Sequence, residues 1–399
     1  MPVAGIVAEY NPFHTGHAYH IARTRQLLGE DTGIVAVMSG NWVQRGECAL
    51  GDKWTRARMA LVGGADLVLE LPTVWAASSA EGFARGAVAL LAACGVVDVL
   101  SFGSEEGRTE PLEALARCMN GPAYAGALRE ELLPGRSFPL CRRAAAARLL
   151  GEETARLLDG PNNSLGVEYL RFLPPHMKAL TVKRRGAGHD GGEEGGFASA
   201  SRLRRWLLDG EEERARPYLP IPWPGETARL DRCTGAILAR LRTMTLEECL
   251  ALPDSGDGLA QRLLAAARQA GDLEELYRLT KTRGFAHARA RRLVLYAFLG
   301  IREADRPPAP LYLRVLAFNS RGQALLKEMR ARARLPVLVK PAHIRRPEFS
   351  PRARALFALE ERCTDLFALC YPTPRPAGLE RRRSPAVITS PEAGEEREI

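Results

Sequence analysis

The chain has 399 residues, with 56 Lys and Arg against 47 Asp and Glu, a formal charge of +9 and a pI near 9.3. This length predicts two domains, the 46% hydrophobic share supports a globular interior, and the basic excess fits a polyanionic partner such as nucleic acid or, equally, an inert basic surface. No apolar run reaches membrane-spanning length, because Asp66, Glu70 and Asp98 interrupt the candidates; no secretory signal precedes the first strand; and the eight cysteines, with Cys363 and Cys370 nearest in sequence, lack the C-x-x-C spacing of a zinc or redox site, so a cytoplasmic protein with reduced thiols is expected.

In chain order, Val3 to Ala8 reads as a buried strand broken by Asn11-Pro12, after which Thr15 is expected to cap a helix running to Leu28. His14 and His17 thus flank a strand-to-helix turn. Helix starts leave main-chain N–H groups unpaired beside the positive end of the dipole, so phosphate is a natural guest, and a histidine pair there can neutralise charge on a departing phosphate. Two other readings stay open. His14, His17 and His20 recur every three residues and could suit a transition metal, though no nearby carboxylate or Cys cluster completes that set; or they are ordinary histidines at a helix start.

Ile34 to Met38 gives a second buried strand ending at Ser39-Gly40. The polar loop from Asn41 to Glu47 follows, at the edge where open α/β sheets bind ligands, so Gln44 and Arg45 are candidate substrate contacts or simply solvated. Asp52 caps a helix to Val62, Asp66 to Leu71 forms a third strand, and Thr73 to Cys94 reads as one long helix. Val96 to Ser104 is a fourth strand, and Gly103 near its carboxyl end lets the backbone approach a ligand. Four alternations of strand and helix predict a doubly wound parallel α/β sheet, Rossmann-like.

Residues 109–160 look helical, with Pro111, Pro122, Pro134 and Pro139 at boundaries. Pro161 to Gly166 reads as a turn in which Asn162 and Asn163 either cap the next helix or bond a base or ribose. Leu180 to Val182 lies in a fifth strand, with Lys183, Arg184 and Arg185 at its exit. Gly186 to Gly196 lacks core-forming residues and reads as a loop able to serve as a lid. Ser199, Ser201 and Arg204 then bring hydroxyls and a cation to a helix start, suited to holding phosphate or to capping alone.

The prolines from Pro217 to Pro224 make a stiff linker over 217–225, so domains are expected at 1–216 and 226–371. The second reads as helical, with 335–339 the one candidate strand, and 372–399 reads as a disordered tail rich in Pro, Arg and Glu. Lys281, Arg283, Arg289, Arg291 and Arg292 join a basic cluster to Phe285 and His287, with Arg321 further on. Such clusters suit phosphate backbones and stacked bases, or form a solvated helix face.

His14-Thr15-Gly16-His17 resembles the H-x-G-H signature of the nucleotidyltransferase superfamily. Taken with Glu9 to Phe13, Val37 to Gly40, Gln44 to Glu47, Asp66 to Pro72, Phe83 to Gly86, Phe102 to Ser104, Pro161 to Asn163 and, less closely, Lys281 to Arg283 and Arg321 to Ala324, it makes the chain resemble the tRNA(Met) cytidine acetate ligase family over nearly its whole length. The resemblance implies a nucleotidyltransferase-like ATP-binding catalytic domain followed by a mainly α-helical, tRNA-binding C-terminal domain. It also implies an ATP-dependent ligase that forms acetyl-adenylate from acetate and ATP. The acetyl group then passes to the exocyclic amine of the wobble cytidine of elongator tRNA(Met), giving N4-acetylcytidine.

From the same resemblance His14 and His17 are expected to be catalytic. ATP contacts are expected from Val7, Ala8, Glu9, Tyr10, Asn11, Pro12, Phe13, His14, Thr15, Gly16, His17 and His20, and from Gly103, Asn162, Asn163, Arg184, Arg185, Ser199, Ser201 and Arg204. Lys281, Arg283, Arg289, Arg291, Arg292 and Arg321 are expected to meet tRNA. Mg²⁺ is compatible with such a reaction, although no carboxylate pair points to it. The alternative is a small-molecule adenylyltransferase of the same superfamily. One departure from the family pattern is Arg202, which stands where relatives carry a small hydroxyl residue.

Overall fold

A computed structural model describes residues 1–132, 136–185, 196–281 and 286–389. Pro134, Arg283 and residues 186–195 of the expected lid lie outside them.

The central sheet forms from segments that are apolar on both faces. β1 (Val3–Ala8), β2 (Gly33–Ser39), β3 (Leu67–Leu71), β4 (Val99–Ser104) and β5 (Lys178–Lys183) are parallel and stand in the order β3-β2-β1-β4-β5. Alternate side chains divide between two layers. Ile6, Ala36 and Val68 pack with α1 (Thr15–Leu28) and α2 (Lys53–Val62), while Val35, Val37 and Leu69 pack with α3 (Ala80–Ala93). Because the strands run together, Ala8, Ser39, Leu71 and Ser104 reach one edge, and the order reverses between β1 and β4. Ligands of doubly wound sheets bind in that crevice.

The remainder departs from expectation in five places. β6 (Leu313–Asn319) lies in the region expected to be helical yet pairs antiparallel with β3. Its run Leu313 to Phe318 is apolar except for Arg314 and has no period that separates strand from helix, and the open edge of β3 decides the outcome. β7 (Val337–Leu338) falls in the strand expected at 335–339 and pairs with β6, whereas β8 (Ala386–Ile388), which also pairs with β6, is a strand in the segment expected as a disordered tail. The expected helix from Thr73 to Cys94 is a turn at Thr73–Ala76 and then α3, because the Ser79 hydroxyl accepts from Gly82 N at 3.3 Å and starts a new helix. The expected loop at 41–47 contains a hairpin pairing Trp42–Val43 with Glu47–Cys48 around a fully buried Trp42. Pro161 to Gly166 is the start of α4 (Pro161–Phe172), with Pro161 in the first turn where its missing N–H does no harm. Cysteines distant in sequence also meet, Cys233 and Cys370 lying 3.6 Å apart. Among the described residues no helix is long and apolar enough to cross a membrane.

Buried charge ties the C-terminal segment to the sheet. Lys53, with no exposed surface, places Nζ 2.6 Å from Glu70 of β3 and 2.6 Å from Glu380. Arg314 of β6 lies 3.6 Å from the other oxygen of Glu380, and Thr364 donates to Glu380 at 2.9 Å. Nearby, Glu360 accepts from Thr73 N at 2.6 Å and Oγ1 at 2.7 Å; burial, with Glu70 adding, pushes its pKa up to about 8. Removing one partner from such a group strands the others in low dielectric. Lys53→Met should therefore lower the unfolding free energy by about 3–5 kcal/mol in urea titrations. Arg117→Ala, which breaks an exposed pair with Glu113, should cost under about 1 kcal/mol; equal losses would show that the cluster is not a structural tie.

Candidate nucleotide site

Between β1 and α1 the chain turns over a shelf of rings. Tyr10, buried and at φ +46°, lies 4.8 Å from Phe13 and 4.9 Å from His17 by ring centroids. His14, not Thr15, is the N-cap of α1: its Nδ1 accepts from Gly16 N at 3.0 Å, and His17 Nδ1 accepts from His14 N at 3.2 Å. The two rings stand 3.9 Å apart. A ring nitrogen that accepts carries no proton, so each neutral imidazole holds its hydrogen on Nε2. Glycine is required between them, since a Cβ on Gly16 would meet His14 Cε1 at 2.8 Å.

These rings stay neutral. Burial lowers His14 to about 3, with Arg184 and Arg204 adding, and lowers His20 to about 4, with Arg184 adding; His17 is held well below 6.5 by burial and then by His14. His20 Nε2 lies 2.9 Å from Ser101 Oγ. With both Nδ1 atoms turned to main chain the histidines do not make a metal set, and among the described residues no group of three or more His, Cys, Asp or Glu could hold a metal ion.

Other expected contacts gather around them. Arg204 donates to the Asn11 carbonyl at 2.9 Å and to Ser201 Oγ at 3.0 Å, and Thr15 Oγ1 donates to the Gly196 carbonyl at 3.2 Å, so the start of α5 (Ala200–Leu208) is fastened to the histidine turn. Ser199 caps α5 by accepting from Arg202 N, and the Arg202 guanidinium lies 5.7 Å from the Trp206 ring centroid. Gly103 of β4 lies against Arg184, whose Nη1 donates to Asn162 Oδ1 at 3.1 Å. Asn163 differs from Asn162: it is buried, and its Oδ1 accepts from Glu105 N and Glu106 N, so it shapes the loop and is not presented to a ligand. Arg185 lies over Tyr19, at 5.2 Å. A cleft of about 820 Å³ opens here between α1 and β5, lined partly by Tyr19, Arg23, Arg108, Lys183, Arg184 and Arg185. Val7 and Ala8 end β1, while Asn11 is buried and accepts from Leu50 N at 2.8 Å; Pro12 follows in the turn.

Sequence reasoning missed Arg56, which reads there as one more helix cation. It is fully buried and donates to the carbonyls of Glu9 at 2.6 Å, Gly51 at 3.0 Å and Ser39 at 3.1 Å, and also to Gly40. It thus pins the carboxyl ends of β1 and β2 together. No spacing rule would have found it.

The expected tRNA contacts separate. Gly46, at φ +75°, packs so closely on the start of α6 (His287–Leu299) that a Cβ would lie 2.6 Å from the Arg291 main chain. Arg291 pairs with Glu47 at 2.5 Å and covers Tyr277 at 4.8 Å. Arg289 pairs with Asp257 at 3.0 Å, while Arg292 is buried 3.5 Å from Asp254 and so is not offered to a backbone. Arg321 bonds the Thr32 carbonyl at 3.4 Å and sits 4.0 Å from Asp66, at the opposite edge of the sheet from the histidines. Lys281 is exposed.

Comparison with known proteins identifies the family. The family model for HIGH nucleotidyl transferases matches residues 1–382. The chain is 37% identical over 396 residues to the tRNA(Met) cytidine acetate ligase of Caldanaerobacter subterraneus subsp. tengcongensis, covering 93% of this chain and 96% of that one, and 33% identical over 411 residues to that of Acetivibrio thermocellus, covering 95% and 98%. The crystal structure of Thermotoga maritima TmcAL bound with alpha-thio ATP superposes with a TM-score of 0.88 at 31% identity, covering 98% of this chain and 100% of that one, and its apo form with 0.91. The chain belongs to the HIGH nucleotidyl transferases and, more narrowly, to the tRNA(Met) cytidine acetate ligase family.

The depressed histidines set a pH window. Between about 6.5 and about 4 the unfolded chain binds protons at these positions and the native chain does not, so stability falls as pH falls through that range. Each buried histidine contributes a slope of up to about 1.4 kcal/mol per pH unit. Denaturation midpoints of the wild type and His20→Gln, compared from pH 7.5 to 4.5, should show a shallower slope in the variant; identical slopes would mean that His20 titrates normally.

Proposed function

We propose that the protein activates acetate with ATP as acetyl-adenylate and pyrophosphate, then passes the acetyl group to the exocyclic amine of the wobble cytidine of elongator tRNA(Met). The observation that carries this reading is the pair of neutral Nε2–H donors at a helix start, beside Arg184 and Arg204, in the crevice where the strand order reverses. Adenylation converts a poor acyl donor into one with a good leaving group. It requires attack on the α-phosphate while charge grows on departing pyrophosphate, a positioning and electrostatic task suited to fixed donors. The cleft lined by Tyr19, Arg184 and Arg185 has the volume and cationic lining to take part of a nucleotide, and it adjoins the histidine turn through Arg184, which Asn162, itself held by Glu105, positions.

The tRNA reading is favoured over a small acceptor by the hairpin at 42–48, which packs on the start of α6. Through it the crevice lies next to Arg45, His287 and Lys281. Incubation with ATP, labelled acetate and elongator tRNA(Met) should label the tRNA, and acetate-dependent ATP–pyrophosphate exchange should fall by about 10²–10³-fold in His14→Ala. Exchange without any labelled tRNA, in the presence of a small acceptor that does become labelled, would favour the adenylyltransferase alternative. Lys281→Glu should raise the KM for tRNA by roughly tenfold, about 1.4 kcal/mol, in steady-state kinetics; an unchanged KM would place the tRNA elsewhere.

A further inference from the structure

Acetyl transfer to an amine forms an N–C bond, breaks the bond from the acyl carbon to the phosphate oxygen, and releases one proton from nitrogen. The histidines are not built to take it. His14 and His17 spend Nδ1 on main-chain N–H groups and already carry hydrogen on Nε2, and His20 Nε2 is bonded to Ser101. Among the other side chains at this edge, a carboxylate is the class whose ordinary charged form accepts a proton.

Most carboxylates at this edge are occupied. Glu47 is paired with Arg291, and Glu105 receives Asn162 N at 3.2 Å, Asn162 Nδ2 at 2.6 Å and Asn163 N at 2.7 Å. Glu70 is sealed against Lys53. Glu9 is different. It directly follows β1, its carbonyl is fixed by Arg56, and its Oε1 accepts from Gln44 N at 2.9 Å, while among the described residues nothing bonds Oε2. It is half-buried, and its charge acts on Arg204, the same guanidinium that grips Asn11 and lowers His14.

We propose, resting on the acetyl-transfer reading above, that Glu9 is the catalytic base of the second step. Oε2 takes a proton from the cytidine amine as the nitrogen bonds the acetyl carbon, AMP departs with the electron pair of the broken C–O bond, and the neutral carboxyl returns its proton to solvent. Charge balances: the carboxylate is neutralised as AMP gains one negative charge. Gln44 N–H and Arg56 hold the group in place, and Arg204 lies close enough for the two charges to interact.

The test uses full-length Glu9→Gln and Glu9→Asp with two readouts: acetate-dependent ATP–pyrophosphate exchange for the first step, and single-turnover transfer to elongator tRNA(Met) for the second, each across pH. Transfer in Glu9→Gln should drop about 100-fold relative to exchange, acetyl-adenylate should accumulate and be trapped by hydroxylamine, the rise of transfer with pH should disappear, and Glu9→Asp should recover part of the rate. Equal loss of both steps in Glu9→Gln would make Glu9 a binding or structural residue and overturn the proposal. Wild-type protein that exchanges pyrophosphate but labels no tRNA would instead overturn the proposed function, and this role with it.

Discussion

Two main-chain N–H groups at the head of α1 have no partner within the helix, and this protein satisfies them with the ring nitrogens of its own two histidines. That single constraint determines what the crevice can do. It fixes both tautomers, turns both Nε2–H groups away from the backbone, and leaves the helix start clothed in neutral donors in place of bare amides. Because burial and Arg184 and Arg204 disfavour the imidazolium form, positive charge at the site is supplied by arginines and hydrogen-bond donation by histidines. In the proposed reaction a polyphosphate would meet both, and neither would serve as a base.

The turn keeps this geometry because its flanks are pinned by two guanidinium groups, one buried and one partly buried. Arg56 gathers carbonyls from Glu9, Ser39, Gly40 and Gly51 and joins the ends of β1 and β2, while Arg204 does the same for the turn and the start of α5. A guanidinium with five donors suits this task better than an ammonium would. Lys53 works from the other side, with Glu70 and Glu380, and makes the C-terminal segment part of the wall behind the site. The helical region is thus joined to the nucleotide crevice through β6, β8 and the hairpin.

The parallel core was legible in the sequence because its central strands β1 and β2 are continuous apolar runs between polar breaks, and the histidine turn because Asn11-Pro12 ends a strand just ahead of a helix. The HIGH motif and its companion segments also foretold the family, which the comparisons bear out. What escaped was non-local. Leu313 to Phe318 has no period that distinguishes strand from buried helix, and only the open edge of β3 selects. Ala386 to Ile388 lies in a stretch whose composition signals disorder, yet it pairs with β6 over three residues. Arg56, Lys53 and Glu380 carry ordinary surface letters, so their burial follows from tertiary partners that composition does not reveal. The basic cluster was legible as a cluster but not in its detail, since Arg291 and Arg292 turn toward Glu47 and Asp254.

The chemistry of the crevice rests on the protonation of two rings, and nitrogen-15 NMR of histidine side chains in the full chain, assigned by His14→Gln and His17→Gln, observes it directly. Both residues should give signals of a neutral ring with hydrogen on Nε2 and an accepting Nδ1 at pH 7, and should remain neutral at pH 5. An imidazolium signal at pH 7, or hydrogen on Nδ1 in either ring, would contradict the reciprocal cap and the chemistry drawn from it.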